Sequence, residues 1–452
     1  MMDFIHDMVI PQSADNLNLL KFILLISYSI LIPYSAFITG SVIYAVVLET
    51  IGRRKEDRQM NRAAFEIADR AVLNKNVLIG LGLMPFIALF LAYTQLLANI
   101  IPSPVIVLGA ALAMYAAALI QLNSYKHTFF VEKMIVRITG QGNYELFEND
   151  ENKRLESYNR DNFKLHRRNG ILSVILLLLS VYVLQAAAQM AMAVGYGQRD
   201  VGFLSILFSL RSLVQFFLFI DASLTLSLLG LLSLNPAQGE LLKIAAESKG
   251  LLRKGLITAF LCVAGMPVWL IVNMYMAPKQ SLTETFFFST ALATIGLFVV
   301  LHNLWFLLRG SGIRSSSLGF FSMLVAVLLF IGGEQSAFDN SVRRQVLVLA
   351  SVYDKKVQDR NEKMGRGVAV DGKAIFDGRC SACHRFDMKL VGPAYKDVLP
   401  KYEGKMDQLT GFILNPVKVN PAFPPMPNQG VKPAEAKAVA EYIMKTYKEK
   451  TS

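Results

Sequence analysis

Cysteine is scarce in this chain, and its scarcity limits the chemistry that the chain can perform. Only three cysteines occur in 452 residues. Cys380 and Cys383 are neighbours, while Cys262 lies far upstream inside an apolar stretch. A structural zinc site would need a second pair of ligands, which these cysteines do not supply. The sequence also contains no recognisable Ser-His-Asp grouping and no phosphate-binding loop, so it offers no motif of a hydrolase or a nucleotide-binding protein.

A histidine follows the cysteine pair directly, in the sequence CSACH at residues 380–384. Two thiols three residues apart with an adjacent histidine form the attachment signature of a c-type haem. The sulfurs of Cys380 and Cys383 would form thioether bonds with the haem, and His384 would then lie beneath the iron as its proximal ligand. The alternatives for such a pair are zinc, a disulfide and a thioredoxin-like redox site. We predict one covalently bound haem c.

The sequence downstream of this motif extends the prediction to a whole domain. It reads GPAYKDV, then PPMPNQGV, then PAEAKAVAEYIM, and residues 372–448 resemble a small class I cytochrome c of the bacterial type. The resemblance implies that Met426 is the sixth ligand of the iron and that the carbonyl of Pro393 accepts a hydrogen bond from His384, which fixes the ring. Met426 is favoured because it lies in a proline-rich loop. The rival sixth ligands are Met388, Met406 and Met444.

The same resemblance implies an N-terminal helix at residues 372–379 and a C-terminal helix at residues 433–447 that crosses it, with Phe376 and Tyr442 as crossing residues. Ordinary amphipathic core positions would show the same pattern. Ligation by one histidine and one methionine raises the reduction potential of the haem relative to ligation by two histidines. It also leaves no open position at the iron. We therefore expect a one-electron carrier, and we expect any substrate chemistry to occur in a partner.

The rest of the chain is strongly apolar. Hydrophobic residues make up 53% of the sequence and the mean hydropathy is +0.40, both above the range of soluble proteins. A helix crosses a bilayer with roughly 20 apolar residues. Eight runs of about that length or longer occur, at residues 19–48, 77–100, 105–122, 171–194, 203–234, 256–275, 286–308 and 318–331. We predict eight transmembrane helices, of which the first and fifth are unusually long. Residues 1–18 show no basic region typical of a signal peptide, so the first run is predicted as an uncleaved span.

The cations indicate an orientation. Connections 52–76, 125–169, 235–254 and 309–314 contain twenty-two Lys and Arg, whereas those on the opposite side contain two. The positive-inside rule places the basic connections in the cytoplasm. Both termini and the haem would then face the periplasm of a bacterial inner membrane, where c-type haem is attached. The net charge of +12 follows from this asymmetry and does not call for nucleic acid.

The apolar part shows signs of internal repetition. Met84-Pro85 in the second run corresponds to Met266-Pro267 in the sixth, and paired alanines at 63–64 and 245–246 fall at the same offset. We predict two four-helix units, at about residues 15–195 and 201–333. This pattern weakly resembles the membrane subunits of cytochrome bd-type quinol oxidases. Residues 25–29 lack the histidine that binds a haem in that family, and the large external quinol-binding loop is absent, so we expect no oxygen chemistry and no haem b.

Ionisable residues within apolar runs are costly and often mark function. Three stand out: Asp221 and Arg211 in the fifth run, and His302 in the seventh. Asp221 could transfer protons or make a hydrogen bond between helices, and the second is more common. Arg211 lies about 15 Å from it along one helix, too far to pair directly. His302 would need a second ligand to hold a haem, so a packed or interface position is favoured.

Residues 334–365 contain charged residues with Val342, Val346, Leu349 and Val352 at helical spacing, which predicts a surface amphipathic helix and a short flexible tether. The predicted fold class is therefore all-α. It comprises a polytopic helical bundle (residues 1–333), this linker, and a cytochrome c domain (366–452) with fourteen Lys and Arg against nine Asp and Glu. Such a basic surface can steer an acidic redox partner.

These features predict an electron-transfer subunit of a respiratory or photosynthetic membrane complex. Its expected partners are other membrane subunits, the lipid bilayer and a redox protein at the haem edge, with quinone as a further candidate. One alternative is that the chain itself oxidises quinol, with Asp221 or Glu49 accepting the proton and its own haem c accepting the electron. Another is a transporter or assembly factor with a cytochrome sensor domain.

Overall fold

The computed structural model describes residues 12–72, 74–97, 103–140, 149–195, 202–233, 249–310, 314–363, 371–421 and 423–451. Within these ranges all regular secondary structure is helical, as predicted. The chain divides into two compact units, Met1–Tyr353 and Asp354–Ser452. The division between residues 353 and 354 falls inside the predicted linker, residues 334–365.

The first unit consists of long apolar helices and is a multi-pass membrane unit. Eight helices of the described ranges are long and apolar enough to cross a membrane, in agreement with the eight predicted spans. The helices of this unit are α1 (Ala14–Arg54), α2 (Arg58–Ala71), α3 (Met84–Leu97), α4 (Ser103–Gly140), α5 (Asn149–Gly195), α6 (Phe203–Leu207), α7 (Leu210–Ser233), α8 (Lys249–Tyr275), α9 (Glu284–Leu308) and α10 (Arg314–Lys363). Helix α3 is entered through Lys75–Val77 and a π-helical turn at Leu78–Leu83.

The fifth predicted span is not one long helix. The chain breaks between α6 and α7, because the Ser209 hydroxyl accepts a hydrogen bond from the Ser212 backbone N–H at 3.2 Å and so caps a new helix start. The Ser212 hydroxyl in turn donates to the Ile206 carbonyl at 2.7 Å. The prediction of an unusually long fifth helix is therefore wrong, whereas α1, with 41 residues, confirms the prediction for the first. A hydropathy pattern does not predict a helix break of this kind, because a capping serine changes the mean hydropathy of an apolar run very little.

The predicted surface linker is also different in the structure. Residues 314–363 form the single 50-residue helix α10, with no break after the eighth span. Ala337, Phe338 and Val342 are buried in the core of the first unit, and the Gln345 amide donates to the Leu96 carbonyl at 2.6 Å. The amphipathic pattern predicts the helix correctly. Val342 and Val346 of its apolar face are buried against the bundle, whereas Val352 is 45% exposed. Residues 364–370, the predicted tether, lie outside the described residues.

The first helices of the two predicted halves pack closely against each other. A Cβ added at Gly40 of α1 would lie 2.5 Å from the carbonyl carbon of Ser223 on α7, so only glycine allows this approach. The Ser227 hydroxyl of α7 donates to the Phe37 carbonyl of α1 at 2.7 Å. Small residues and interhelical hydrogen bonds of this kind hold helices together in lipid.

The two Met-Pro pairs lie in corresponding helices, with Pro85 in the first turn of α3 and Pro267 inside α8. Of the repeated alanines, Ala63 and Ala64 are buried on α2. Residues 245–246 lie outside the described residues, and the twofold repeat stays a prediction.

The second unit is a small helical domain. Its helices are α11 (Gly372–Ile375), which continues as a π-helical turn at Phe376–Cys380, then α12 (Tyr395–Val398), α13 (Met406–Leu414) and α14 (Pro433–Thr451). Helices α11 and α14 cross where a Cβ on Gly372 would lie 2.9 Å from the Cβ of Tyr442. The rings of Phe376 and Tyr442 are 5.5 Å apart, which confirms the predicted crossing contact. This crossing places the end of the π-helical turn, Cys380, beside the domain core.

Candidate haem-binding cleft

The second unit contains a cleft of about 70 Å³ that brings together the residues predicted from the motif. Cys380, Cys383, His384, Pro393 and Met426 all line it. They come from three separate segments of the chain: the end of the π-helical turn, the loop before α12, and the proline-rich loop before α14. Two thiols, an imidazole and a thioether facing one cavity are the donor set that a c-type haem requires.

A single helical turn orients the motif. The backbone N–H groups of Cys383 and His384 both donate to the Cys380 carbonyl, at 3.1 and 3.0 Å. The Gly392 N–H donates to the Cys383 carbonyl at 2.9 Å and so ties the following loop back to the motif. No disulfide joins Cys380 and Cys383, so both sulfurs are available for thioether bonds.

The His384 ring is held by its surroundings on several sides. Its Nδ1 donates to the Pro393 carbonyl at 3.2 Å, which leaves Nε2 with a free lone pair for a metal. The ring stacks on Tyr395 with centroids 5.1 Å apart and planes 10° apart. A Cβ on Gly392 would lie 2.7 Å from Nδ1, so glycine is needed for this backbone to approach the ring. Burial lowers the pKa of His384 below its usual value, which favours the neutral imidazole that binds iron.

The structure separates the candidate sixth ligands. Met426 alone of the four methionines lines the cleft as described. Met388 is 59% exposed, Met444 is buried in the core of the domain, and Met406 packs against that core. Only Met426 therefore presents its sulfur to the same cavity as the motif.

Arg379 and Lys389 hold the loop of Met426 in place through contacts that the sequence does not predict. The Arg379 guanidinium lies next to the first cysteine and donates to the carbonyls of Gln429 and Gly430, at 3.3 and 3.5 Å. On the other side of the loop, the Lys389 ammonium lies 4.7 Å from the centre of the Phe423 ring. In the sequence the only signals are a basic residue at position 379 and a glycine at position 430, where the structure has a positive φ of 62°, and neither residue type discloses the contact.

Comparison with known proteins agrees with this geometry. The family model described as "Cytochrome c" matches residues 369–446. Cytochrome c-551 of Pseudomonas denitrificans is 43% identical over 77 residues, which is 16% of this chain and 94% of that protein. The chain belongs to the cytochrome c family. It therefore carries covalently bound haem c, and its C-terminal unit is a cytochrome domain.

Two further relatives are similarly short. Cytochrome c-551 of Stutzerimonas stutzeri is 40% identical over 85 residues, or 18% of this chain and 82% of that protein. Cytochrome c-552 of Hydrogenobacter thermophilus is 44% identical over 68 residues, or 14% of this chain and 69% of that protein. No solved structure matches the chain. Because these matches concern the cytochrome domain, the resemblance of the membrane unit to bd-type oxidases stays a prediction.

The polar residues predicted in the membrane unit do not form one site. Arg211 is buried at the start of α7 and pairs with Glu334 of α10 at 2.8 Å. The Asp221 carboxyl lies next to the side chains of Cys262 and Trp269 on α8, and its interhelical role stays a prediction. His302 lies on the exposed face of α9, with its ring 4.7 Å from Phe306. The described residues contain no group of three or more His, Cys, Asp or Glu that could hold a metal.

A further buried polar cluster forms around His166, which lies within the predicted connection 125–169 and is not among the predicted site residues. Helices α4 and α5 extend well past their apolar runs, and His166 of α5 is fully buried, with its ring packed against Tyr125 and Phe129 of α4. Its Nε2 lies 3.0 Å from the Glu49 carboxylate, which also accepts hydrogen bonds from Tyr125 at 2.9 Å and Arg53 at 2.7 Å. Arg53 also binds Glu132 through two hydrogen bonds. Glu49, the alternative proton acceptor, thus has hydrogen-bonding partners at both carboxylate oxygens, and its role as a proton acceptor stays a prediction.

Proposed function

We propose that this protein is a membrane-anchored single-electron relay, in which Cys380 and Cys383 hold the haem and His384 and Met426 are the axial ligands of its iron. The observation that carries the proposal is the shared cleft, which places four donor groups from distant segments around one cavity. Haem supplies one-electron chemistry when it is bound. With both axial positions filled by protein groups, the domain transfers electrons and does not bind substrate at the iron.

The protein residues have distinct tasks in this relay. Pro393 fixes the His384 ring through the 3.2 Å hydrogen bond and stabilises the tautomer that leaves Nε2 open to iron. Arg379 anchors the Met426 loop to the cysteine motif. A rigid ligand set limits the rearrangement that accompanies a change of charge at the iron, and limited rearrangement favours fast electron transfer.

We further propose that the cytochrome domain faces the periplasm of a bacterial inner membrane and that the chain is a subunit of an electron-transfer complex. The asymmetry of Lys and Arg between the two sets of connections supports this orientation. The basic surface of the domain favours an acidic redox partner. Protease added to spheroplasts should release the haem-stained domain, and release only after the cells are lysed would contradict the orientation.

The ligand assignment is tested by replacing Met426 with alanine in the full-length protein, with Met388→Ala as the matched control. Pyridine haemochrome analysis should find one haem c in the wild type and in both variants. We expect Met426→Ala to acquire carbon monoxide binding at about one molecule per haem and a lower reduction potential, because the sixth position is opened. Met388→Ala should match the wild type. If Met426→Ala binds no carbon monoxide and keeps its potential, the assignment is wrong.

A further inference from the structure

A cavity lies between the helices of the membrane unit, near the end of the bundle opposite the basic connections. It has a volume of about 90 Å³ and is lined by residues of α1, α3, α5, α7 and α10. Its polar lining residues include Tyr28, Tyr93, Gln185 and Glu334. None of these side chains serves the haem cleft, which is formed entirely by the other unit.

A second, apolar cavity of about 50 Å³ adjoins the first and shares Ile32, Gln185, Gln215 and Phe330 with it. The rest of its lining is apolar, with residues such as Leu218, Met266 and Leu297 that lie deeper along their helices. Together the two volumes approach the roughly 150 Å³ of a protein cavity that binds benzene. The combined space is therefore polar towards one face of the membrane, apolar towards its middle, and large enough for one six-membered ring.

The charged groups at the polar end neutralise each other. The Glu334 carboxylate accepts from Arg211 at 2.8 Å through one oxygen and from Asn273 at 2.7 Å through the other. The Asn273 amide oxygen in turn accepts from Gln215 at 3.2 Å. A site whose charges are already paired offers no net attraction to a phosphate or a carboxylate. The polar end is suited to a neutral headgroup.

Hydrogen-bonding capacity remains at this end of the cavity. The hydroxyls of Tyr28 and Tyr93 lie 3.0 Å apart, so one donates to the other and the second hydrogen is left for another acceptor. The Gln185 amide oxygen is buried and has no partner among the described residues. A buried acceptor without a donor costs free energy that a ligand hydroxyl would recover. The site thus offers one donor and one acceptor to a ring that carries oxygens.

We propose that the combined space binds the ring of a membrane quinone or quinol, with the ring oxygens at the polar end beside Tyr28, Tyr93 and Gln185. A neutral ring with oxygens that accept or donate hydrogen bonds, attached to an apolar tail, matches both the paired charges and the gradient from polar to apolar lining. The assignment of this ligand as the lipid-soluble redox partner of the haem rests on the proposed relay function. The binding itself does not require that function.

Calorimetric titration of the purified full-length protein in detergent tests the proposal, with decylubiquinone and a short-chain menaquinone as probes. We expect saturable binding of at least one probe at one per chain. Gln185→Met should weaken it about tenfold through loss of one hydrogen bond. Ala188→Phe, which fills the polar cavity, should weaken it beyond detection. Gln121→Met serves as the matched control, because Gln121 lines neither cavity, and its affinity should stay within twofold of the wild type.

Decylbenzene, which has the tail and the ring but no oxygens, separates this proposal from unspecific apolar binding. The proposal is overturned if neither quinone binds, if decylbenzene binds as tightly as decylubiquinone, or if Gln185→Met and Ala188→Phe leave the affinity unchanged. Helical content by circular dichroism confirms that each variant is folded. Reduction of the haem by a soluble one-electron donor is recorded on the same samples, so that a failed relay and a failed binding site give different results.

Discussion

Gly392 offers the sharpest test of how the protein holds its proximal ligand. In Gly392→Ala the new Cβ would lie 2.7 Å from His384 Nδ1 and 2.8 Å from Nε2. Carbon contacts are optimal near 3.5–4.0 Å, so the ring has to move by about 1 Å. The 3.2 Å hydrogen bond from Nδ1 to the Pro393 carbonyl does not survive such a shift. Loss of that bond costs about 1 kcal/mol, and overpacking adds about 2 kcal/mol.

We therefore expect Gly392→Ala to lower the free energy of unfolding of the cytochrome domain by about 3 kcal/mol. Guanidinium denaturation of the haem-loaded full-length protein, followed at the haem absorbance, measures this change. The reduction potential should shift in the same samples, since the imidazole loses the bond that tunes it. Gly411→Ala is the matched control, because its Cβ meets no atom within 4 Å and it lies inside α13. That variant should be unchanged or more stable by about 0.5 kcal/mol.

The reasoning is refuted if Gly392→Ala unfolds within about 0.5 kcal/mol of the wild type and keeps its potential. Such a result would mean that the loop after the motif moves away from the ring at little cost. An equal loss of stability in Gly411→Ala would also refute it, because the effect would then come from any added methyl group in this domain.

Two further outcomes concern the same domain. Gly372→Ala should destabilise it by about 3 kcal/mol in the same denaturation assay, because the methyl group would meet the Ala438 backbone where α11 and α14 cross. Wild-type stability in this variant would contradict the prediction, because it would mean that the two helices move apart at little cost. Burial raises the pKa of Tyr395, so the folded state holds that proton more tightly than the unfolded state and stability should fall by up to about 1.4 kcal/mol per pH unit above pH 10. Tyr395→Phe should lose that part of the slope, and identical alkaline profiles for both proteins would count against the assignment.

The haem site was the most predictable part of the molecule. The CSACH motif consists of five consecutive residues, so its haem-attachment chemistry does not depend on how the rest of the chain folds. Met426 was favoured as the sixth ligand by its proline-rich surroundings. The residues that support the site were harder to find. Arg379 and Tyr395 act through contacts with segments that are distant or folded back, and a residue type alone does not disclose such a contact.

The membrane unit shows the same limit. The lengths of the apolar runs predict eight spans, because the thickness of the bilayer fixes how many residues a spanning helix needs. The capping role of Ser209 and the packing of α10 against the bundle depend instead on which atoms lie nearby in the fold. His166 and Glu334 were overlooked for a related reason. Each lies in a polar stretch whose composition predicts a connection between helices. In the structure, His166 pairs with Glu49 and Glu334 pairs with Arg211, in both cases on another helix of the bundle.

The sequence by itself determined the helical class, the number of apolar spans and the haem attachment motif with its two cysteines and its proximal histidine. These properties are set by composition, by the period of apolar residues and by the spacing of a few reactive side chains. Only the tertiary structure decided which methionine shares a cleft with the motif, which acid pairs with Arg211, and where a polar cavity adjoins an apolar one. Those outcomes depend on distances between segments far apart in the chain, which packing alone establishes.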